Sequence, residues 1–395
     1  MDKVIDFQTA IPERQFNGKR LEIARVYRGL GSGELADLVG VKRQTISMYE
    51  SSKTVNPEIG TLHKISQALN FPIRFFLEDN LMEAGNSSTY FRSLLTTGKK
   101  YRREQEAKVY LVKGIYGYLS GYLKFRELNL PEIDGAMEIE DVAMFLREYW
   151  GLGRKPIDNL AYIAESQGLV VFDFNSWTSD VDAFSHKVQM GSKETFMIGY
   201  SRNKNVASRV HFDIAHELGH ILLHNWDINI ENIEKAEFKE LEQEANNFAS
   251  AFLLPREEFI ADIGKYASNL SYYIEMKKRW KVSIAAMIRR SFNLNLINND
   301  EYQRLMRNMQ KKGIRKQEPL DDVLITSRPS LLRESVNLLI NKKVVTPKTL
   351  LEELSLDYGI TMYSDDIEDL LGLKKGVLKI ETISPKISLE LRIQT

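Results

Sequence analysis

The chain of 395 residues contains no cysteine. That absence excludes disulfides and thiolate metal sites, so any bound metal must rest on histidine and carboxylate. It also carries no net charge, with Lys+Arg and Asp+Glu both at 54. No global field draws it to nucleic acid, and any contact with DNA must come from a local patch. Long apolar runs are missing too. Nothing approaches the ~18–20 residues of a membrane span. The first ten residues, MDKVIDFQTA, lack the apolar stretch of a secretory signal. The expectation is a cytoplasmic protein with no membrane contact. There is no internal repeat and no low-complexity segment.

What is present is ordinary globular material, 43% hydrophobic and 27% charged, in a length that suits two to three domains. Residues 18–80 are short amphipathic helices. Residues 88–150 are aromatic and basic at helical spacing, with Tyr110, Tyr116, Tyr118, Tyr122 and Phe125 on one run. Residues 155–262 mix types: LVVFDF (169–174), VDAFSHK (181–187) and TFMIGY (195–200) are β-rich and predict a small sheet. A long helix is expected from near Val206 to near Asn225. Residues 265–395 return to helices, with breaks at Lys311-Lys312-Gly313 and around Pro319.

Within that long helix lies AHELGHILLH (215–224). His216 and His220 are i and i+4, which puts both imidazoles on one face about one turn apart, a separation two ligands of one tetrahedral zinc need. Glu217 is placed to take a proton from a water at the open position and pass it to a leaving amine. Gly219 costs ~1 kcal/mol in a helix against alanine, so it predicts close approach of a neighbouring element. Five of the six histidines lie between 186 and 224. His224 is a further i+4, two turns from His216 on an unbroken helix, and is read as structural or at the rim.

A third protein ligand is expected from the following helix, Leu241 to Pro255. Its apolar face is Leu241, Ala245, Phe248, Ala249 and Phe252, and Glu242 and Glu244 flank that face on opposite sides. Periodicity does not choose between them, and Glu240 is a third candidate. His186, Tyr200, Arg209 and His211 are candidates for stabilising an oxyanion.

The paired motifs HELGHxxLH and ExEANxFAxxxLLP, spanning His216 to His224 and Glu242 to Pro255, resemble the ImmA/IrrE family of zinc metallopeptidases. The resemblance covers roughly residues 155–262 and extends more loosely to about 318. It implies Zn2+ held by His216, His220 and Glu244, with Glu217 as general base. It also implies a substrate-restricted endopeptidase whose protein substrate is a helix-turn-helix repressor.

Residues 18–78 carry the second signal. Leu21 and Ala24 face inward on an opening helix. Glu34 to Val39 is a short helix ended by Gly40, and Lys42 to Glu50 is a second, with Ile46 and Tyr49 inward. Two helices across a glycine turn make a helix-turn-helix. Lys42, Arg43, Gln44, Thr45, Ser47 and Met48 can face outward, and the first five are the candidate DNA contacts. Between 18 and 53 there are seven basic and four acidic residues, a local surplus. ELADLVGVKRQTISMYESSK, with Ile59 to Leu69, resembles the XRE family of phage-repressor-like DNA-binding domains. Ser32 stands where many members carry glutamine, which weakens one phosphate contact. Lys277 to Arg290 is also helix-turn-helix-like.

The expected fold is therefore multidomain and mainly α. A five-helix XRE-type bundle (15–80) is followed by a helical linker or dimerisation arm (88–150). An α+β zincin-like metallopeptidase domain with a small sheet and a helical docking region (151–318) comes next, then a helical accessory region (319–395). The function expected is a DNA-binding regulator with a zinc-dependent site-specific endopeptidase, cleaving itself or a partner repressor. The alternative is a repressor or antitoxin whose zinc site is structural or silent. Expected partners are an operator in double-stranded DNA, a protein substrate, a second copy in a homodimer and, on the antitoxin reading, a toxin.

Overall fold

The structure, a computed structural model, describes residues 15–51, 55–78, 89–90, 99–175, 183–190, 193–202, 206–226 and 234–380, with residues 89–90 and 99–102 by backbone alone. Lys53, one of the seven basic residues between 18 and 53, lies outside the described residues.

The N-terminal bundle has four helices, α1 (Gly18–Tyr27), α2 (Ser32–Val39), α3 (Arg43–Ser51) and α4 (Ile59–Leu69), and a closing 3-10 turn (Ile73–Leu77). Local chemistry sets their limits. The Asn17 side chain accepts from Lys19 N at the start of α1. Gly40 ends α2 at φ 79° and Asn70 ends α4 at φ 50°, both left-handed. Leu21, Ala24, Leu35, Ile46, Ile65 and Leu69 are fully buried and hold the bundle together.

The remaining elements are β1 (Thr89–Tyr90), α5 (Lys99–Tyr122), α6 (Ile139–Tyr149), α7 (Leu160–Ser166), β2 (Val170–Phe174), β3 (Ala183–Met190), β4 (Lys193–Ser201), α8 (Ala207–Leu223), α9 (Lys235–Leu253), α10 (Arg256–Ile263), α11 (Leu270–Trp280), α12 (Ile284–Asn293), α13 (Asn299–Lys311), α14 (Leu331–Asn341), α15 (Pro347–Tyr358) and α16 (Ser364–Leu371). The sheet order is β1-β3-β4-β2, with β2 parallel to β4 and the other pairs antiparallel. All five β2 residues are buried, as a strand covered on both faces must be.

That sheet separates two cores. On one side Val170, Phe172, Phe174, Phe184, Val188 and Met197 join the N-terminal bundle, α5 and the C-terminal helices. On the other, Val171, Ala183, Ile198 and Tyr200 join α6 to α13. Gly199 permits this layering: a Cβ there would meet the Phe184 and Phe172 rings at 2.7 and 2.8 Å.

Within 88–150 the described helices divide between the two cores. Leu111, Val112, Ile115 and Leu119 of α5 are buried in the first core, and Val142, Ala143 and Leu146 of α6 in the second. The C-terminal helices likewise close the first core through Leu332, Val336, Leu350, Leu354 and Ile367. Ion pairs tie the modules together. Arg28 on α1 makes a paired contact with Asp366 on α16 at 3.0 and 2.7 Å. Arg202 at the end of β4 reaches Asp369 at 2.7 Å and Asp173 at 3.0 Å, and Arg328 grips Asp173 through two bonds of 2.6 Å. No helix among the described residues is long and apolar enough to cross a membrane.

Candidate metal centre and nucleic-acid face

The metal candidate lies where α8 crosses α9. Gly219 makes the crossing close: a Cβ there would stand 3.1 Å from Ala245 Cα, 3.1 Å from the Phe248 ring and 3.2 Å from Ala245 O. The neighbouring element expected from this glycine is therefore α9. Contacts pair the later residue of α8 with the earlier residue of α9, so the helices run antiparallel. His216 Nδ1 lies 3.1 Å from Asn246 Oδ1, and His220 Nε2 lies 3.3 Å from Glu242 Oε1.

His216 and His220 are fully buried. Their Nε2 atoms are 2.8 Å apart, and Glu242 Oε2 is 3.8 Å from His216 Nε2. One ligand atom from each of His216, His220 and Glu242 falls within 4.8 Å of the others. Glu244, the carboxylate implied by the family resemblance, is not at this cluster. Two residues along a helix is a rotation of about 200°, so Glu242 and Glu244 cannot face the same point. Glu244 instead meets His224 Nε2 at 3.0 Å. The signal missed in the sequence is Asn246, which sits i+4 from Glu242 and on the same side of α9.

The outer contacts set the imidazole tautomers, because a carboxylate or amide oxygen can only accept. Asn246 Oδ1 accepts from His216 Nδ1–H, which leaves the His216 Nε2 lone pair facing the cluster. Glu244 accepts from His224 Nε2–H. His224 Nδ1 then accepts from His220 Nδ1–H across 2.9 Å, which leaves the His220 Nε2 lone pair facing the cluster too. Burial, and secondarily the neighbouring His220, hold the His224 pKa down to about 4. A neutral His224 is what this chain of donors requires. Two imidazole nitrogens and a carboxylate converging in a buried place need a shared proton or a metal ion between them, and the donor set suits a zinc-type ion.

Glu217 is buried one position along α8. Ser185 on β3 donates from its hydroxyl to Glu217 Oε2 at 2.5 Å. Sequence reasoning did not single out Ser185; its partner comes from strand register, not from spacing along the chain.

The four oxyanion candidates scatter. His186 lies on the sheet face away from Ser185, with burial pushing its pKa down to about 3. Tyr200 is buried, and burial first and then the Asp173 carboxylate raise its phenol. Arg209 is exposed on α8. His211 is fully buried, and its pKa falls to about 4, first through burial and then through Lys281.

On the N-terminal bundle, Lys42, Arg43, Gln44 and Ser47 are exposed along α3 and its entry, and Thr45 is half-buried. Met48 is exposed beside them and Ile46 and Tyr49 point inward. Much of the local basic surplus is spent inside the fold. Arg20 is fully buried, donates to Gly359 O at 2.5 Å and lies over the Phe75 ring at 4.9 Å. Arg25 holds Glu50 at 2.5 and 3.0 Å, and Arg28 holds Asp366. Lys42 and Arg43 carry the positive charge of the exposed face. In the second helix-turn-helix-like stretch, Lys277 is buried against Glu318 and Asp321, and Arg290 is bound to Glu140.

Residues 24–76 match the helix-turn-helix family model, and residues 164–292 match a peptidase family model described as IrrE N-terminal-like domain. No curated relative matches the chain.

Proposed function

Because the chain joins a helix-turn-helix domain to an IrrE N-terminal-like peptidase domain, we propose that it is a DNA-binding regulator with a zinc-dependent, substrate-restricted endopeptidase centre. The convergence of His216 Nε2 and His220 Nε2 on the Glu242 carboxylate is the observation that carries this reading. His216, His220 and Glu242 would hold the ion. When bound, zinc supplies Lewis acidity that lowers the pKa of a water and polarises a carbonyl.

The chain's own residues supply the rest. Glu217 takes a proton from the water that adds to the peptide carbonyl. It returns that proton to the amide nitrogen as the C–N bond breaks. Ser185 orients the Glu217 carboxylate and favours its charged form by donating to it. Lys42, Arg43, Gln44, Thr45 and Ser47 would approach the DNA groove and backbone, with α3 as the reading helix. The substrate class this fits is the chain itself or a partner repressor, with cleavage relieving repression, in a compartment that holds DNA. A homodimer would match a two-fold operator.

Elemental analysis tests the centre. About one zinc per chain is expected in the wild type and in Glu217→Gln, and none in His216→Ala or Glu242→Ala. Zinc retained in Glu242→Ala would remove Glu242 from the ligand set, and no zinc in the wild type would leave a DNA-binding repressor alone.

A further inference from the structure

β3 brings Ser185 to Glu217, so its edges run beside the candidate site. One edge pairs with β4 in a continuous register from Ala183↔Tyr200 to Met190↔Lys193. The other edge meets β1 at two positions only, Thr89 opposite His186 and Tyr90 opposite Ser185. Among the described residues no other strand pairs with this edge. Directly opposed antiparallel residues have Cα atoms about 4.5–5.5 Å apart. The β1 backbone therefore runs one strand spacing from the residue that holds Glu217.

A strand edge beside a hydrolytic centre is where an extended peptide adds, because main-chain groups of the edge bind main-chain groups of the peptide. Backbone donors on that edge serve one strand at a time. β1 belongs to the connection between the DNA-binding bundle, whose 3-10 turn ends at Leu77, and α5, which begins at Lys99. Both flanking elements are anchored in the first core, so the segment acts at the effective concentration of a tethered ligand.

We propose that Thr89–Tyr90 occupies in cis the edge of β3 on which an extended peptide substrate would add, so that substrate enters only after this strand leaves. The inference rests on the peptidase reading above.

The absence of cysteine makes the test clean. Thr89→Cys combined with His186→Cys places two thiols within disulfide range if the register holds. His186 lies on the sheet face away from Ser185, so Glu217 keeps its partner. Thr89→Cys with Val188→Cys is the control, since a diagonal neighbour two residues on is about 7–8 Å away. Mild oxidation should crosslink the first pair and not the second. In the zinc-loaded full chain, an extended dipeptide hydroxamate should then bind the oxidised form at least ten-fold more weakly than the reduced form. Thr89→Pro with Tyr90→Pro, which removes both β1 amide donors, should bind it at least ten-fold more tightly than wild type. No crosslink in the His186 pair, equal binding by the two redox forms, or unchanged binding in the proline variant would overturn the proposal. A crosslink that forms while no variant binds the hydroxamate would instead sink the metallopeptidase reading, and this inference with it.

Discussion

His224 Nε2 lies 3.0 Å from a carboxylate oxygen of Glu244, and the other nitrogen of that ring lies 2.9 Å from His220 Nδ1. The two residues form an outer brace that points His220 Nε2 at the candidate metal position. Partners of this kind typically contribute 10–100-fold in metal affinity. Glu244→Gln and His224→Phe should therefore weaken zinc by about 10–100-fold, while Glu242→Ala weakens it much further. A competitive chelator titration measures both. Equal losses in Glu242→Ala and Glu244→Gln would show that the two carboxylates share the role.

Gly219→Ala should destabilise the protein although alanine is the better helix former by ~1 kcal/mol. The added methyl would press on Ala245 and Phe248 at 3.1 Å, and overpacking of this kind costs about 1–3 kcal/mol. Zinc affinity should fall with it, because α9 carries Glu242 and Asn246. Denaturant unfolding decides, and a variant more stable than wild type would contradict the close crossing.

Ser185→Ala removes the hydroxyl that donates to Glu217. A carboxylate that loses a donor to its charged form titrates at higher pH. The acidic limb of the pH–rate profile should move upward with zinc content unchanged. Since Glu217 must be ionised to accept a proton, activity below neutrality should fall first. An unshifted acidic limb would mean that the contact is structural only.

Arg43→Ala and Gln44→Ala should each weaken specific DNA binding by about 1–3 kcal/mol if they contact base edges. Arg20→Ala should behave differently. Arg20 is buried against Gly359 and Phe75, so its loss should lower the melting temperature. The salt dependence of binding to random-sequence duplex should stay as it was. A reduced salt slope in Arg20→Ala would place Arg20 on the DNA instead.

Stability should fall on acidification. In the folded state the His186 pKa is held at about 3 and that of His211 at about 4, chiefly by burial. Both titrate near 6.5 in the unfolded chain. Below pH 6.5 the unfolded state binds protons that the folded state refuses, so stability present above 6.5 is lost as pH drops toward 4. Among the described residues neither His211 ring nitrogen has a hydrogen-bond partner. His211→Leu should therefore flatten this acid slope at little cost at pH 7. Melting temperatures at pH 7 and pH 5 for wild type and variant are the check.

The helix-turn-helix, the histidine pair, the glutamate beside it and the need for a close neighbour at Gly219 were all legible in the chain. Each of these follows from local rules. Spacing of three or four residues puts side chains on one helix face, Gly40 ends a helix at positive φ, and alternation marks a strand. The sequence also narrowed the third ligand to two flanks of α9. The fold brings one of them, Glu242, to the histidine pair. The antiparallel crossing of α9 over α8 sets which flank meets His220, and no pattern within either helix encodes that direction. The same holds for Ser185, for Arg20, and for β1 at the edge of β3. Their partners lie 32 and 339 residues away in the first two cases and across a strand register in the third. Such pairings are selected by the packing of two cores against one sheet, where a buried charge or hydroxyl must find whatever partner the fold brings within reach.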